Sequence, residues 1–109
     1  MDRLNLIWKE IEQQCRELNC FEFEYYWEMY DEFWNPWFIE ANGNLLKFTV
    51  YDISNGDLRQ LADKGHLEII KVYDPSEMKD ENDRIRYRIK QNPHAEVVMN
   101  FKPDASTNL

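Results

Sequence analysis

Along residues 2–19 the apolar positions Leu4, Ile7, Trp8, Ile11, Cys15 and Leu18 recur every three or four residues, the spacing of one helix face. Asp2 can accept from the first free backbone amides, and Asn19 tolerates the left-handed conformation that ends many helices. The stripe predicts an amphipathic N-terminal helix that packs on a core.

The period then changes from helical to two. Over residues 21–29, Phe21, Phe23, Tyr25, Trp27 and Met29 alternate with Glu22, Glu24, Tyr26 and Glu28, which predicts a strand with one buried face. The strand is expected to run to about Tyr30, and Asp31 to Pro36 to form a turn, because Pro36 bars a helix from continuing past Asn35. Tyr26, Tyr30, Phe33, Trp34 and Trp37 also fit helical spacing, which leaves a helical turn open here. Residues 37–51 carry two apolar runs around Asn42-Gly43, the pair favoured in two-residue hairpin turns, so a hairpin with Leu46, Phe48 and Val50 on one face is expected.

Ser54 and Asp57 approximate a capping box at the start of a short helix, with Leu58, Leu61 and Ala62 as its buried side and Gly65 as its stop. Residues 66–74 read as a strand and 74–83 as a polar loop. In residues 84–90 the alternation is complete: Ile85, Tyr87 and Ile89 face one way, Arg84, Arg86, Arg88 and Lys90 the other. After Asn92-Pro93, residues 95–101 read as a last strand and 102–109 as a flexible tail. Helices do not alternate regularly with strands. The expectation is therefore an α+β fold: a mostly antiparallel sheet of about five to six strands, with the N-terminal helix and one short second helix on one face. Residues 1–101 are expected to form one domain, in keeping with a 109-residue chain.

Charge sharpens the picture. The chain carries a net charge of −8, and residues 1–44 hold ten acids against three bases. No Lys or Arg occurs between Leu18 and Leu46, while residues 21–38 contain ten of the sixteen aromatics. Such acidity disfavours unaided contact with nucleic acid or an anionic membrane, and favours a protein partner with a basic groove. The start has no signal-peptide pattern and no apolar run is long enough for a membrane span, so a cytoplasmic, reduced protein is expected.

Candidate chemistry is sparse. Three serines, two histidines and two cysteines offer no local nucleophile–base pairing, and Cys15 lies on the apolar helix stripe. Cys15 and Cys20 lack a second cluster to complete a zinc site, and Asp80-Glu81-Asn82-Asp83 lacks the ligand spacing of a calcium loop. No catalytic residue, metal ligand or cofactor is assigned, and the chain is read as not an enzyme. Aromatics beside paired carboxylates leave a small carbohydrate-binding module or glycosidase as a lesser alternative.

The short helix from Asp57 to Lys64, followed by basic strands, resembles the end of a winged-helix domain. That resemblance implies a nucleic-acid-binding regulator using Arg59 and the Arg84–Lys90 ridge. It stops there, because residues 45–52 read as a strand where a helix-turn-helix needs its first helix, and because the candidate recognition helix has no net charge. The ridge has an internal use: Glu22, Glu24 and Glu28 lie on a strand face of the same period, so opposite charges can pair across the sheet.

The rings and acids without such an explanation are Tyr26, Glu28, Tyr30, Asp31, Glu32, Trp34 and Trp37. Exposed Tyr and Trp are usual anchors of protein interfaces, and interleaved carboxylates steer a basic partner. In size, acidity and aromatic content, though in no motif, the chain is similar to small bacterial immunity proteins and antitoxins, and to phage-encoded nuclease inhibitors including anti-CRISPR proteins. The leading expectation is an inhibitor of a basic partner, a toxin or nuclease, that binds through these residues. Homodimerisation through the same rings is a competing use.

Overall fold

The N-terminal stripe forms helix α1, Arg3–Leu18, in the computed structural model, which describes residues 2–90. Asp2 caps it by accepting from the Asn5 amide at 2.8 Å. Asn19 ends it in the left-handed region (φ 52°), where the Cys20 N–H closes back on the Cys15 carbonyl at 3.0 Å. Strands β1 (Glu22–Glu28), β2 (Trp37–Ala41) and β3 (Asn44–Leu45) come next, then helix α2 (Asn55–Asp63), strand β4 (Leu67–Val72), a 3-10 turn at Pro75–Glu77, and strand β5 (Glu81–Ile89).

The strands build one sheet in the order β3-β2-β1-β5-β4, with every neighbouring pair antiparallel. The fold is α+β, as the hydrophobic pattern predicts. The candidate strand 95–101 and the tail 102–109 lie outside the described residues.

One face of the sheet is covered. Phe23, Tyr25, Ile39, Ala41, Leu67, Ile85, Tyr87 and Ile89 point to it and meet Ile7, Ile11 and Cys15 of α1, Leu58 and Leu61 of α2, and Ile53. Two sheet tyrosines fasten the start of α2. Tyr25 donates its hydroxyl to the Ile53 carbonyl at 2.8 Å, and Tyr87 donates to Asn55 Oδ1 at 2.7 Å. Burial pushes the Tyr25 phenol up to about 12. Ser54 and Asp57 complete the capping box, each side chain accepting from the other's backbone N–H at 3.4 and 3.0 Å.

Three boundaries differ from the expectation. Strand β1 spans only Glu22–Glu28: Met29 lies past its end and is exposed, and Phe21, just before its start, is exposed although its carbonyl still accepts from the Ile89 amide at 2.8 Å. The Asn42-Gly43 turn forms, with φ 53° and 80°, yet its second strand pairs for two residues only. Strand β5 begins at Glu81, three residues before Arg84, because a bulge carries it on. Between the pairs Tyr25–Ile85 and Trp27–Asn82, β5 advances one residue more than β1, and Asp83 takes φ 52°.

The reason β3 stops early lies in α1. Gln14 accepts from the Lys47 amide and donates to the Lys47 carbonyl, both at 2.7 Å. One turn earlier, Glu10 accepts from the Thr49 amide at 3.0 Å and from its hydroxyl at 2.5 Å. Four helical residues rise about 6 Å and two extended residues about 6.6 Å, so side chains spaced i, i+4 match the alternate residues of an extended segment. Arg3 continues the row, donating to the Tyr51 and Asp52 carbonyls at 2.9 and 3.0 Å. Helix side chains thus replace the strand that would have paired residues 47–52, while Leu46, Phe48 and Val50 turn inward as their alternation predicts.

Replacing Gln14 by Ala leaves both Lys47 backbone groups without these partners. The variant is expected to lose about 1 kcal/mol in chemical denaturation, the net worth of solvent-exposed hydrogen bonds whose backbone groups water can still satisfy. Unchanged stability in Gln14→Ala would refute the account of why β3 ends.

Candidate functional site

The uncovered sheet face carries the arginine ridge, and its charges are paired within the chain. Glu24 is 8% exposed although it faces away from the helices. Its carboxylate accepts from Arg84 Nε at 2.6 Å, from Arg86 Nη1 at 2.8 Å, and from the Tyr73 hydroxyl. Arg86 also donates from Nε to Glu22 at 2.9 Å, Arg88 reaches Glu22 at 3.1 Å, and Arg88 meets Glu68 on β4 at 3.5 Å. At the other end Arg84 lies 3.7 Å from Glu81. The charges therefore alternate without a break: Glu81, Arg84, Glu24, Arg86, Glu22, Arg88, Glu68. Arg84 also lies over the Tyr26 and Tyr73 rings, at 4.5 and 5.5 Å.

The expected cross-strand pairing thus holds for Glu22 and Glu24 but not for Glu28, whose partner across β1 and β5 is another acid, Glu81. Hydrogen bonds from Arg86 and Arg88 hold the Glu22 carboxyl below the usual range. For Glu24, burial pushes upward, and the donors Tyr73, Arg86 and Arg84 together outweigh it, so its value also falls.

Residues 29–36, between β1 and β2, form the second feature. The loop is ordered by its own polar groups. Asp31 Oδ1 accepts from the Phe33 and Trp34 amides at 2.7 and 2.8 Å, and the Trp34 carbonyl accepts from the Tyr30 amide at 3.2 Å. The base is closed by the Glu28 amide donating to the Pro36 carbonyl at 2.9 Å. The Tyr30 and Trp34 rings meet edge to face, centroids 4.8 Å apart, and the Tyr30 hydroxyl donates to Glu28 at 2.8 Å. That bond raises the Tyr30 phenol above its ordinary value.

Hydrophobic side chains nonetheless point to water: Phe33 is 90% exposed, Met29 63%, Trp34 58% and Tyr30 55%. Asp31 and Glu32 are exposed beside them, and no Lys or Arg lies within the loop. Glu81 stands opposite Glu28, and Asp80 is near enough to act on the Tyr30 phenol, so the acidity extends onto the start of β5.

The seven residues singled out in the sequence therefore divide. Glu28, Tyr30, Asp31, Glu32 and Trp34 come together at the loop. Tyr26 lies on the uncovered sheet face, partly buried, with its ring against Phe38 and its hydroxyl on Glu40 at 3.1 Å. Trp37 belongs to the opposite face, partly buried against Tyr25 and Phe48, and serves the rim of the core. Phe33 and Met29 join the loop cluster without having been singled out. Period two places Met29 with the core, and only the end of β1 at Glu28 releases it.

Burial, and then the neighbouring Cys20, push the Cys15 thiol up to about 11, which keeps it protonated and unreactive. Among the described residues no cluster of three or more His, Cys, Asp or Glu is placed to hold a metal ion, and no helix is long and apolar enough to cross a membrane. The segment preceding α2 is irregular rather than helical, and within the ridge Arg84, Arg86 and Arg88 already face carboxylates. Comparison with known proteins returns no similarity: no family model, no curated protein and no solved structure matches this chain.

The depressed carboxyls of Glu22 and Glu24 bind fewer protons folded than unfolded. Their contribution is complete above the ordinary glutamate value of about 4.3 and is lost as pH falls through their lower folded values. The melting temperature should therefore drop on acidification below about pH 4.3, with a shallower acid limb in Glu24→Gln; superimposable limbs would contradict the assignment. For the loop, Asp31→Ala is expected to speed amide exchange at Phe33 and Trp34 roughly five-fold, the equivalent of about 1 kcal/mol of capping hydrogen bonds. Asp31→Asn keeps the accepting oxygen and should leave exchange near the wild-type rate.

Proposed function

We propose that the chain is a non-enzymatic binding protein that docks the 29–34 loop onto a basic partner protein acting on nucleic acid, and blocks it. The observation that carries this reading is a loop that is ordered internally yet holds Met29, Tyr30, Phe33 and Trp34 in solvent among unneutralised acids. An aromatic cluster kept out of a core that had room for Phe23 and Tyr87 is better matched to a partner's pocket than to folding. Order before binding lowers the entropy that docking must overcome.

The acids define the partner's chemistry. Glu28, Asp31 and Glu32 meet no cation within the loop, and Glu28 faces Glu81, an opposition that weakens the sheet and that a cationic surface would relieve. In the blocked complex these carboxylates occupy positions built for phosphates, while Phe33 and Trp34 fill apolar or base-stacking pockets. This is the mode of an immunity protein, an antitoxin or an anti-CRISPR inhibitor.

The test compares the full chain with two variants, Phe33→Ala/Trp34→Ala and Glu28→Gln/Asp31→Asn/Glu32→Gln, as affinity baits. The expected partners are basic proteins retained at low salt, whose activity on nucleic acid falls when the wild-type chain is added. Loss of each anchoring ring should weaken binding by about 30-fold, the ~2 kcal/mol typical of a hot spot. The neutralised loop should abolish the salt dependence. If partners bind both variants as they bind the wild type, the proposal fails.

A further inference from the structure

Strand β4 ends the sheet, and among the described residues it pairs only with β5. Among the described residues nothing pairs with its outer row of backbone donors and acceptors, and its apolar residues lie in the open: Ile69, Ile70 and Val72 are 36%, 38% and 61% exposed. The segment Leu67-Glu68-Ile69-Ile70-Lys71-Val72 has no Pro and no Gly, and three of its residues are β-branched. Such an edge pairs readily with another strand unless something prevents it.

The segment is also antiparallel to itself in chemistry. Reversed about its centre, Leu67 meets Val72, Glu68 meets Lys71, and Ile69 meets Ile70. In a regular strand this match would fail, because residues an odd number apart point to opposite faces. Here β4 gains one residue on β5 between Ile69 and Lys71. Glu68 lies opposite Arg88 and Lys71 opposite Arg86, so both belong to the charged, uncovered face. Leu67 and Val72 lie opposite Ile89 and Ile85, so both belong to the helix-covered face. The bulge brings the charge pair and the apolar pair each onto a common face. A lysine and a bulge ordinarily protect an edge. Lys71 meets Glu77 at 3.2 Å and lies over the Tyr73 ring, and Glu68 meets Arg88 at 3.5 Å, but all of these contacts are solvent-exposed, so against a second copy the two ends can exchange them for each other while the bulge sets the register.

We infer that β4 is a homodimer interface: two copies pair their β4 strands antiparallel about a two-fold axis between Ile69 and Ile70, making one continuous sheet of both chains. Glu68 of each copy faces Lys71 of the other, so the interface holds two such pairs. The surface is distinct from the 29–34 loop, from which β5 and β1 separate it in the sheet.

The experiment is mass measurement by light scattering on the full-length chain over a rising concentration series. The wild type should reach twice the chain mass. Glu68→Lys puts lysines opposite each other and Lys71→Glu puts glutamates opposite each other, so each variant, checked as folded by circular dichroism, should remain at the chain mass. Mixed in equal amounts, the two variants should recover the doubled mass, because every facing pair is then opposite in charge. A wild type that stays monomeric into the high micromolar range overturns the inference. So does a monomer whose β4 amides resist exchange, which would mean the edge is covered from within the same chain. Single variants that dimerise like the wild type also overturn it, by moving the contact to another surface. If one variant does not fold, the other still decides between the doubled and the single mass.

Discussion

The carboxylate of Glu24 is the point on which the uncovered side of this sheet depends. It lies 8% exposed on a face with no helix over it among the described residues, and three donors from β5 and from the residue after β4 converge on it. A lone carboxylate so enclosed would be strongly unfavourable. With Arg84, Arg86 and Tyr73 it becomes the centre of a ladder of alternating charge that ties β1, β5 and β4 together across the sheet. The Arg84 guanidinium also lies over the Tyr26 and Tyr73 rings, which adds an aromatic contact to the ladder. The charge ladder thus occupies the position that a second layer of helices would take in a three-layer fold.

This arrangement also decides which charges can meet a partner. The arginines have the composition of a nucleic-acid contact, but their guanidinium groups are engaged by Glu22, Glu24 and Glu68. Among the described residues the acids of the 29–34 loop meet no such counterpart, and Glu81 at the start of β5, itself 3.7 Å from Arg84, stands opposite Glu28. A chain with 21 acids against 13 bases therefore divides into a ridge whose charges are largely balanced and a negative end. The end also carries three exposed rings, Tyr30, Phe33 and Trp34. One acid there has a second duty: Asp31 shapes the loop through the Phe33 and Trp34 amides, so its charge and its hydrogen bonds can be separated only by substitution with Asn.

Helix α1 does more than cover the core. Its buried stripe packs inward, while Glu10 and Gln14, on the flank, hold residues 47–49 as a neighbouring strand would. The sheet on that side consequently ends in the two-residue β3, and its other edge, β4, is left longer and more apolar. The two edges of one sheet are thus handled by different means, and only the β4 edge keeps an open row of backbone groups among the described residues.

Period and punctuation in the sequence were enough to establish both helices with their caps, the Asn42-Gly43 turn, the alternation of β5 and the α+β class. These depend on contacts between residues at most four apart, or on one face being apolar, and both are local properties. The opposition of Glu22 and Glu24 to the arginines was also legible, because both strands share a period of two. The tertiary structure alone decided where alternation ceases to mean burial. Met29 continues the pattern of Phe23 and Tyr25, but β1 ends at Glu28 and Met29 lies beyond the reach of the helices. Trp37 looks as free as Trp34 in sequence, and β2 turns it onto Tyr25 and Phe48. The bulges at Asp83 and Ile70 and the early end of β3 have the same origin. Each is set by which distant backbone or side chain reaches a group first, and no periodicity along the chain records that.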